Sequence, residues 1–288
     1  AERHGREPFT VAVVSLPGAC GPMALRVRGV LRGAGLVERV VPPLGDLLEG
    51  AVAAGVGSGA IDLVELIGRT PYGIDRRAVA RVIEGKRVLI TGAGGSIGSE
   101  LCRIVASFRP SLLVMMERSE NSLFEVDRQI ARRFAGVERK ALLHDVVDAE
   151  QTLRHLVAIK PHAVFHAAAH KHVPLMEDHP AHAVTNNLFG TKSIADAAQA
   201  VGAERFVMIS SDKAVNPTSV MGATKRLAEM YVQALNTSRT MGRGARTSFS
   251  MVRFGNVLGS ACSVLPIWSA QLAEGGPITV TDPRMTRY

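Results

Sequence analysis

Residues 86–117 constrain the fold of this chain more than any other stretch. They open with Lys-Arg-Val-Leu-Ile-Thr-Gly-Ala-Gly-Gly-Ser-Ile-Gly-Ser-Glu-Leu. Residues 87–91 are apolar and β-branched, as a buried strand requires, and the glycines follow at once. Ile97, Leu101, Ile104 and Val105 then recur at helical spacing, which places the glycines between a strand and a helix. Gly92, Gly95 and Gly98 read as G-x-x-G-x-x-G, and Gly94 offers a second reading of the same loop. A further apolar run, 112–116, ends in Glu117, nineteen residues past Gly98. In a dinucleotide-binding fold an acid at that distance takes the ribose hydroxyls of the adenosine. A lone glycine pattern describes a tight turn equally well. Strand, glycines, helix, second strand and terminal acid together predict nucleotide binding.

The cofactor contacts follow from that reading. Gly92, Gly94, Gly95, Ser96, Ile97 and Gly98 are assigned to the phosphates, at the N-terminus of the helix. Glu117 favours NAD, because the 2′-phosphate of NADP would meet a like charge there. Arg118 and Ser119 would receive that phosphate if Glu117 turned away, so NADP stays open.

Downstream, strands and helices alternate. Strands are expected at 141–144, 163–166, 205–209 and 248–253. Helices are expected at 119–134, 149–159, 181–201 and 219–235. This alternation implies right-handed crossovers and an α/β fold with a doubly wound parallel sheet of the Rossmann type. Ligands of such sheets lie beyond the carboxyl ends of the strands. The residues after each strand are therefore the candidates: Asp145 and Val146 after the third, and Ala167, Ala168 and Ala169 after the fourth. The alanines suit a loop that a flat ring approaches closely.

Residues 1–68 read as part of a separate α/β unit, with strands at 9–15 and 37–41 and a helix at 23–31. Residues 69–85 read as a connector containing a short helix capped by Asp75, and 86–288 as the dinucleotide-binding domain. No apolar run approaches the roughly 20 residues that span a bilayer. The start lacks the apolar core of a secretory signal. Cys20, Cys102 and Cys262 are scattered and odd in number, which suits reduced cytosolic thiols. The net charge of +8 is dispersed, and aromatics make up only 5% of the chain. That argues against a stacking platform for nucleic acid, and no nucleic-acid partner is expected. His166, His170, His172, His179 and His182 crowd one region, but no carboxylate or cysteine completes a metal-ligand spacing, so no metal is expected.

After the 205–209 strand come Ser210-Ser211-Asp212-Lys213 and then Met221-Gly-Ala-Thr-Lys225. Met221 and Lys225 lie four apart, on one helical face. Here the sequence resembles the extended short-chain dehydrogenase/reductases, whose usual pair is Tyr-x-x-x-Lys. Met221 stands at the tyrosine position. The run from Ser210 to Lys225 further resembles the UDP-N-acetylglucosamine 4,6-dehydratases of bacterial polysaccharide biosynthesis, in which methionine replaces the tyrosine and an Asp-Lys pair follows the strand. Residues 92–101, 170–177 with Asn187 and Gly190-Thr191, and 253–259 agree with that branch.

The resemblance implies oxidation at sugar C4, loss of water across C5 and C6, and return of the hydride to C6, with nicotinamide regenerated in each cycle. It implies that Lys213 removes the C5 proton, that Asp212 protonates the departing C6 hydroxyl, and that Lys225 holds the nicotinamide ribose. Met221 cannot take the O4 proton, which leaves Ser211, Lys225 through a hydroxyl, or water. Lys171, His172, Glu177, Asn187, Arg253, Asn256 and Arg287 are the implied substrate contacts. The implied partners are a UDP-sugar and a second copy of the chain. The implied role is in capsule or lipopolysaccharide synthesis, cytoplasmic or at the cytoplasmic face of the inner membrane, with an anchor in a longer form. The chain is expected to stop short of the full substrate-binding region, since the family's motif at 285–288 continues further. The alternatives are a UDP-sugar 4-epimerase or oxidoreductase, and a non-catalytic dinucleotide sensor.

Overall fold

The structure is a computed structural model that describes residues 11–14, 26–27, 29–31, 33–40, 73–241, 246–257, 259–260, 263–280 and 282. It divides into two compact units, Ala1–Ile74 and Asp75–Tyr288. In the first, strands β1 (Val11–Val14) and β2 (Val37–Val40) pair in parallel, with Val11 opposite Val37. A parallel pair needs a crossover, and residues 26, 27 and 29–31 within it are helical. The apolar segments at 47–48 and 61–67, which the sequence also offers to this unit, lie outside the described residues.

The second unit begins with helix α1 (Arg76–Ile83), whose N-cap Asp75 accepts hydrogen bonds from the Arg77 and Ala78 amides at 3.0 Å. This is the short helix read into the connector. It belongs to the second unit because Ile83 is buried with Val88 and Ile90 of the sheet. Strands β3 (Arg87–Thr91), β4 (Leu112–Glu117), β5 (Arg139–Leu143), β6 (Ala163–His166), β7 (Arg205–Ser211) and β8 (Ser248–Phe254) form one sheet in the order β5-β4-β3-β6-β7-β8. Every neighbouring pair is parallel. The doubly wound sheet expected from the alternation is therefore present. The third strand lies at 139–143 and not at 141–144, because its register is set by β4, with Leu113 opposite Arg139.

Alternate side chains of the central strands enter opposite layers. Leu89, Val114 and Met116 pack with helices α4 (Ala149–Ile159), α7 (Gly190–Ala200) and α8 (Val220–Thr240). Val88, Ile90, Leu113 and Met115 pack with α2 (Ser96–Ser107) and α3 (Glu120–Arg133). Because both faces are covered, these strands read as continuous apolar runs and not as alternating ones.

The helix expected over 181–201 is not continuous. A short α6 (Pro180–Ala183) leads into a π-helical turn, Val184–Phe189, before α7. Two further helices, α5 (Val173–Asp178) and α9 (Val264–Ala273), were not expected from the sequence. The consequence for function is the switch point. Strand β3 has β4 on one side and β6 on the other, so a crevice opens at the carboxyl ends between the two connections.

Candidate functional site

The glycine loop closes that crevice by sterics. A Cβ on Gly98 would stand 1.9 Å from the Gly92 carbonyl oxygen, and one on Gly94 would stand 2.4 Å from Ser122 Cβ. Gly92 has φ +64° and passes so close to the β6 loop that a Cβ would lie 2.6 Å from the Ala168 nitrogen. Helix α2 begins at Ser96 without a side-chain cap from Gly95, so its first turn offers backbone N–H groups to an anion. Gly92, Gly95, Glu117, Arg118, Asp145, Val146 and the three alanines 167–169 line a cleft of about 160 Å³. Enclosed small-molecule sites usually measure roughly 300–1,000 Å³. This cleft is thus sized for one end of a dinucleotide, whose remainder would run along the open carboxyl edge. The donors, small residues and acid present fit that group.

Glu117 is the brace of the cleft. One carboxylate oxygen accepts from the Gly94 amide (3.1 Å), and the other from the amides of Arg118 (2.9 Å) and Ser119 (3.1 Å). A carboxylate has about four acceptor positions, so one is left for a ribose hydroxyl. The Arg118 guanidinium reaches across to Asp145 (3.5 Å), Asn186 Oδ1 (3.3 Å) and His170 Nε2 (3.3 Å). Ser119 caps α3 through the Ser122 amide. His144 and Asn186 line the same cleft and were missed from the sequence. His144 follows a strand as Asp145 does, and that position was its available signal. The Asn186 side chain is turned inward by the π-helical turn, which left no sequence signal.

His166, grouped above with the other histidines, is fully buried between two threonines. Its Nδ1 lies 2.7 Å from Thr91 Oγ1 and its Nε2 2.9 Å from Thr191 Oγ1. Thr191 donates its own hydrogen to the Asn187 carbonyl (2.6 Å), so it must accept from His166 Nε2–H. That leaves Nδ1 to accept from the Thr91 hydroxyl. Burial, and then the charge of Lys225, pushes the imidazole down to about 3, so it is neutral at ordinary pH. Among the described residues, no group of three or more His, Cys, Asp or Glu side chains is placed to hold a metal ion.

At the other end of the edge, Ser211, Asp212 and Lys213 form the turn that ends β7. Ser211 Oγ donates to Asp212 Oδ1 (2.9 Å), and Lys213 Nζ meets the same oxygen at 3.1 Å. The side chains of Lys213 and Asp212 are 40% and 50% exposed, so both can be reached from solvent. Burial raises the Asp212 carboxyl, but hydrogen bonds from Ser211 and Lys213 outweigh it and hold the group below its usual range. That is opposite to the shift required of a proton donor. The acid role needs this pair to separate when substrate arrives.

Met221 is buried with Met176 and Ala183, beneath the edge, and packs as a core residue. One turn on, Lys225 is 4% exposed and donates from Nζ to the Ile209 carbonyl at 2.7 Å. Burial lowers its amine to about 8, against the raising effect of Glu229.

Three of the expected substrate contacts are committed to protein partners. Glu177 accepts from the Val220 amide (2.7 Å), at the start of α8. Asn187 accepts from the His170 amide (2.8 Å) and donates to the His170 carbonyl and Thr224 Oγ1 (3.1 Å). Arg253 is clamped to Glu229 through two nitrogens, at 2.8 and 2.7 Å. Lys171, His172 and Asn256 are exposed. Arg287, Cys20, Cys262 and the whole of 285–288 lie outside the described residues. No helix among the described residues is long and apolar enough to cross a membrane.

A glycine loop at the switch point, an acid ending the second strand and a buried lysine under the fifth define a Rossmann domain of the extended short-chain dehydrogenase/reductase kind. Residues 88–288 match the family described as polysaccharide biosynthesis protein, and the chain belongs to that family. It is 44% identical over 249 residues to a capsular polysaccharide biosynthesis protein, CapD, of Staphylococcus aureus, covering 86% of this chain and 41% of that one. It is 34% identical over 214 residues to an inverting UDP-N-acetylglucosamine 4,6-dehydratase of Campylobacter jejuni, covering 72% of this chain and 60% of that one. Among solved structures, Pen from Bacillus thuringiensis aligns with a TM-score of 0.66 at 34% identity, over 72% of this chain and 63% of that one. The chain thus spans less than two thirds of each.

Proposed function

We propose that this chain carries the catalytic centre of a nucleotide-sugar 4,6-dehydratase that uses NAD and acts on UDP-N-acetylglucosamine in surface-polysaccharide synthesis. The observation that carries the reading is the β7 edge. An accessible Asp212–Lys213 pair sits there beside a buried Lys225, while the tyrosine position is filled by a packed methionine. Epimerases and oxidoreductases of this fold use the tyrosine and have no need of the pair.

Nicotinamide bound along the edge would supply the hydride acceptor for the sugar. The chain's own residues do the rest. Backbone N–H groups of the α2 first turn hold the pyrophosphate, and Glu117 holds the adenosine ribose. Two features favour NAD over NADP. The Glu117 carboxylate would meet a 2′-phosphate with a like charge, and Arg118 already serves Asp145, Asn186 and His170. Lys225 would hold the nicotinamide ribose. Once a sugar draws Lys213 from Asp212 and its ammonium gives up a proton to water, the neutral amine takes the C5 proton, while Asp212, freed of its cation, binds a proton and passes it to the C6 hydroxyl, which leaves as water. In this reading Ser211 Oγ, which donates to Asp212, relays the O4 proton to that carboxylate.

The test is incubation with UDP-N-acetylglucosamine and NAD, followed by NMR of the product. A 4-keto-6-deoxy sugar nucleotide supports the reading, and a 4-epimer overturns it.

A further inference from the structure

One buried carboxylate near Lys225 has no part in the chemistry described so far. Glu229 is 1% exposed and lies one helical turn beyond Lys225 on α8. Its Oε1 accepts from Ser210 Oγ (2.7 Å) and Arg253 Nε (2.8 Å), and its Oε2 from Arg253 (2.7 Å) and Arg226 (3.1 Å). One side chain thereby ties three elements together at the active edge. Ser210 is the residue before Ser211 at the end of β7, Arg253 ends β8, and Arg226 adjoins Lys225 on α8. A lone buried carboxylate would be costly, and this one is retained with its acceptors filled.

We propose that Glu229 is the positioning residue of the Lys225 site: it pins the ends of β7 and β8 against α8 and is the counter-charge that keeps Lys225 cationic beside a bound dinucleotide. The assignment rests on the reading that Lys225 contacts the cofactor. It also gives Arg253 a different role from the one its sequence position suggested. The guanidinium is spent on Glu229, where a planar fork matches a carboxylate, and is not held ready for a pyrophosphate.

Other charges bear on Lys225 less. His166, on β6, is buried and neutral. Asp212 and Lys213, on the β7 turn, neutralise each other. Glu177 caps α8 from α5, and Lys192 and Asp196 of α7 pair with one another. Glu229 stands one turn from Lys225 on the same helix, both side chains buried, and its carboxylate acts to raise the amine against that burial.

The experiment follows the Lys225 amine by NMR in lysine-labelled protein with NAD bound, across pH, in the wild type, Glu229→Gln and Arg253→Gln. Glu229→Gln removes the counter-charge, so the Lys225 midpoint should fall by roughly 1 pH unit or more, the scale of losing a close opposite charge. Arg253→Gln leaves Glu229 less neutralised, so the midpoint should rise. If Glu229→Gln does not fold, Arg253→Gln alone decides by the direction of its shift. A merely structural role would lower the melting temperature of either variant and leave the Lys225 midpoint unmoved, and that result overturns the proposal. Lys225→Met separates the underlying reading. Unchanged NAD affinity there would remove Lys225 from the cofactor while the opposite shifts still stood.

Discussion

At the β3–β6 end of the sheet, the cleft is shaped by backbone and by small residues. Glycines pack where no Cβ fits, amides point at Glu117, and three alanines line the wall. At the β7–β8 end the work is done by charges: Asp212 with Lys213, and Lys225 above Glu229, Arg226 and Arg253. In the proposed reading the first end recognises a shape and a fixed anion and moves no proton. There the second end holds protons that leave, and its groups are set against one another. Within the first end, His166 of β6 ties β3 to the helix that follows the π-helical turn, through Thr91 and Thr191.

Substitutions at each end should therefore fail differently. The largest effect is expected from Lys213→Ala, which removes the proposed base. Turnover should fall by about 10²–10⁴, the usual range for general-base catalysis, with NAD affinity by calorimetry unchanged. Undiminished turnover would take Lys213 out of the chemistry.

Breaking the His166 link comes next. The folded imidazole of His166 titrates at about 3 and the unfolded one at 6.5. Between those values the unfolded chain binds more protons, so stability is fully present above pH 6.5 and is lost as pH falls. From pH 6.5 to 4.5 the loss through His166 should be roughly 2–3 kcal/mol. Denaturant melts should show a shallower pH slope in His166→Gln, and equal slopes would show that the ring is not held neutral.

The smaller effect belongs to the shaped end. Gly98→Ala sets a methyl against backbone, and overpacking of this kind costs about 1–3 kcal/mol. NAD affinity should weaken by about 10- to 100-fold, while Gly136→Ala, with open space around it, should bind as the wild type does. Equal affinities in the two variants would remove sterics as the organising feature of the loop.

The same contrast explains what could be read from the sequence. The glycine loop, Glu117 and the strands around them are local patterns, legible because each residue answers to near neighbours in the chain. Asp75 likewise announced its helix as a cap. Glu229 was not legible. Only the folding of β7 and β8 brings Ser210 and Arg253 to it. The break before α7 was hidden for a related reason. The π-helical turn aims two consecutive asparagines inward, and their partners Arg118, His170 and Thr224 are distant in sequence. Helix α9 escaped because its residues are apolar almost all round, which leaves no period to detect.

The most direct test of the dehydratase assignment is the fate of deuterium placed at C4 of UDP-N-acetylglucosamine. The Asp212–Lys213 pair acting at C5 and C6 predicts a 4-keto-6-deoxy product carrying that deuterium at C6, read by NMR. Deuterium recovered at C4 of an epimerised sugar, or unaltered substrate in the presence of protein with NAD bound, would contradict it.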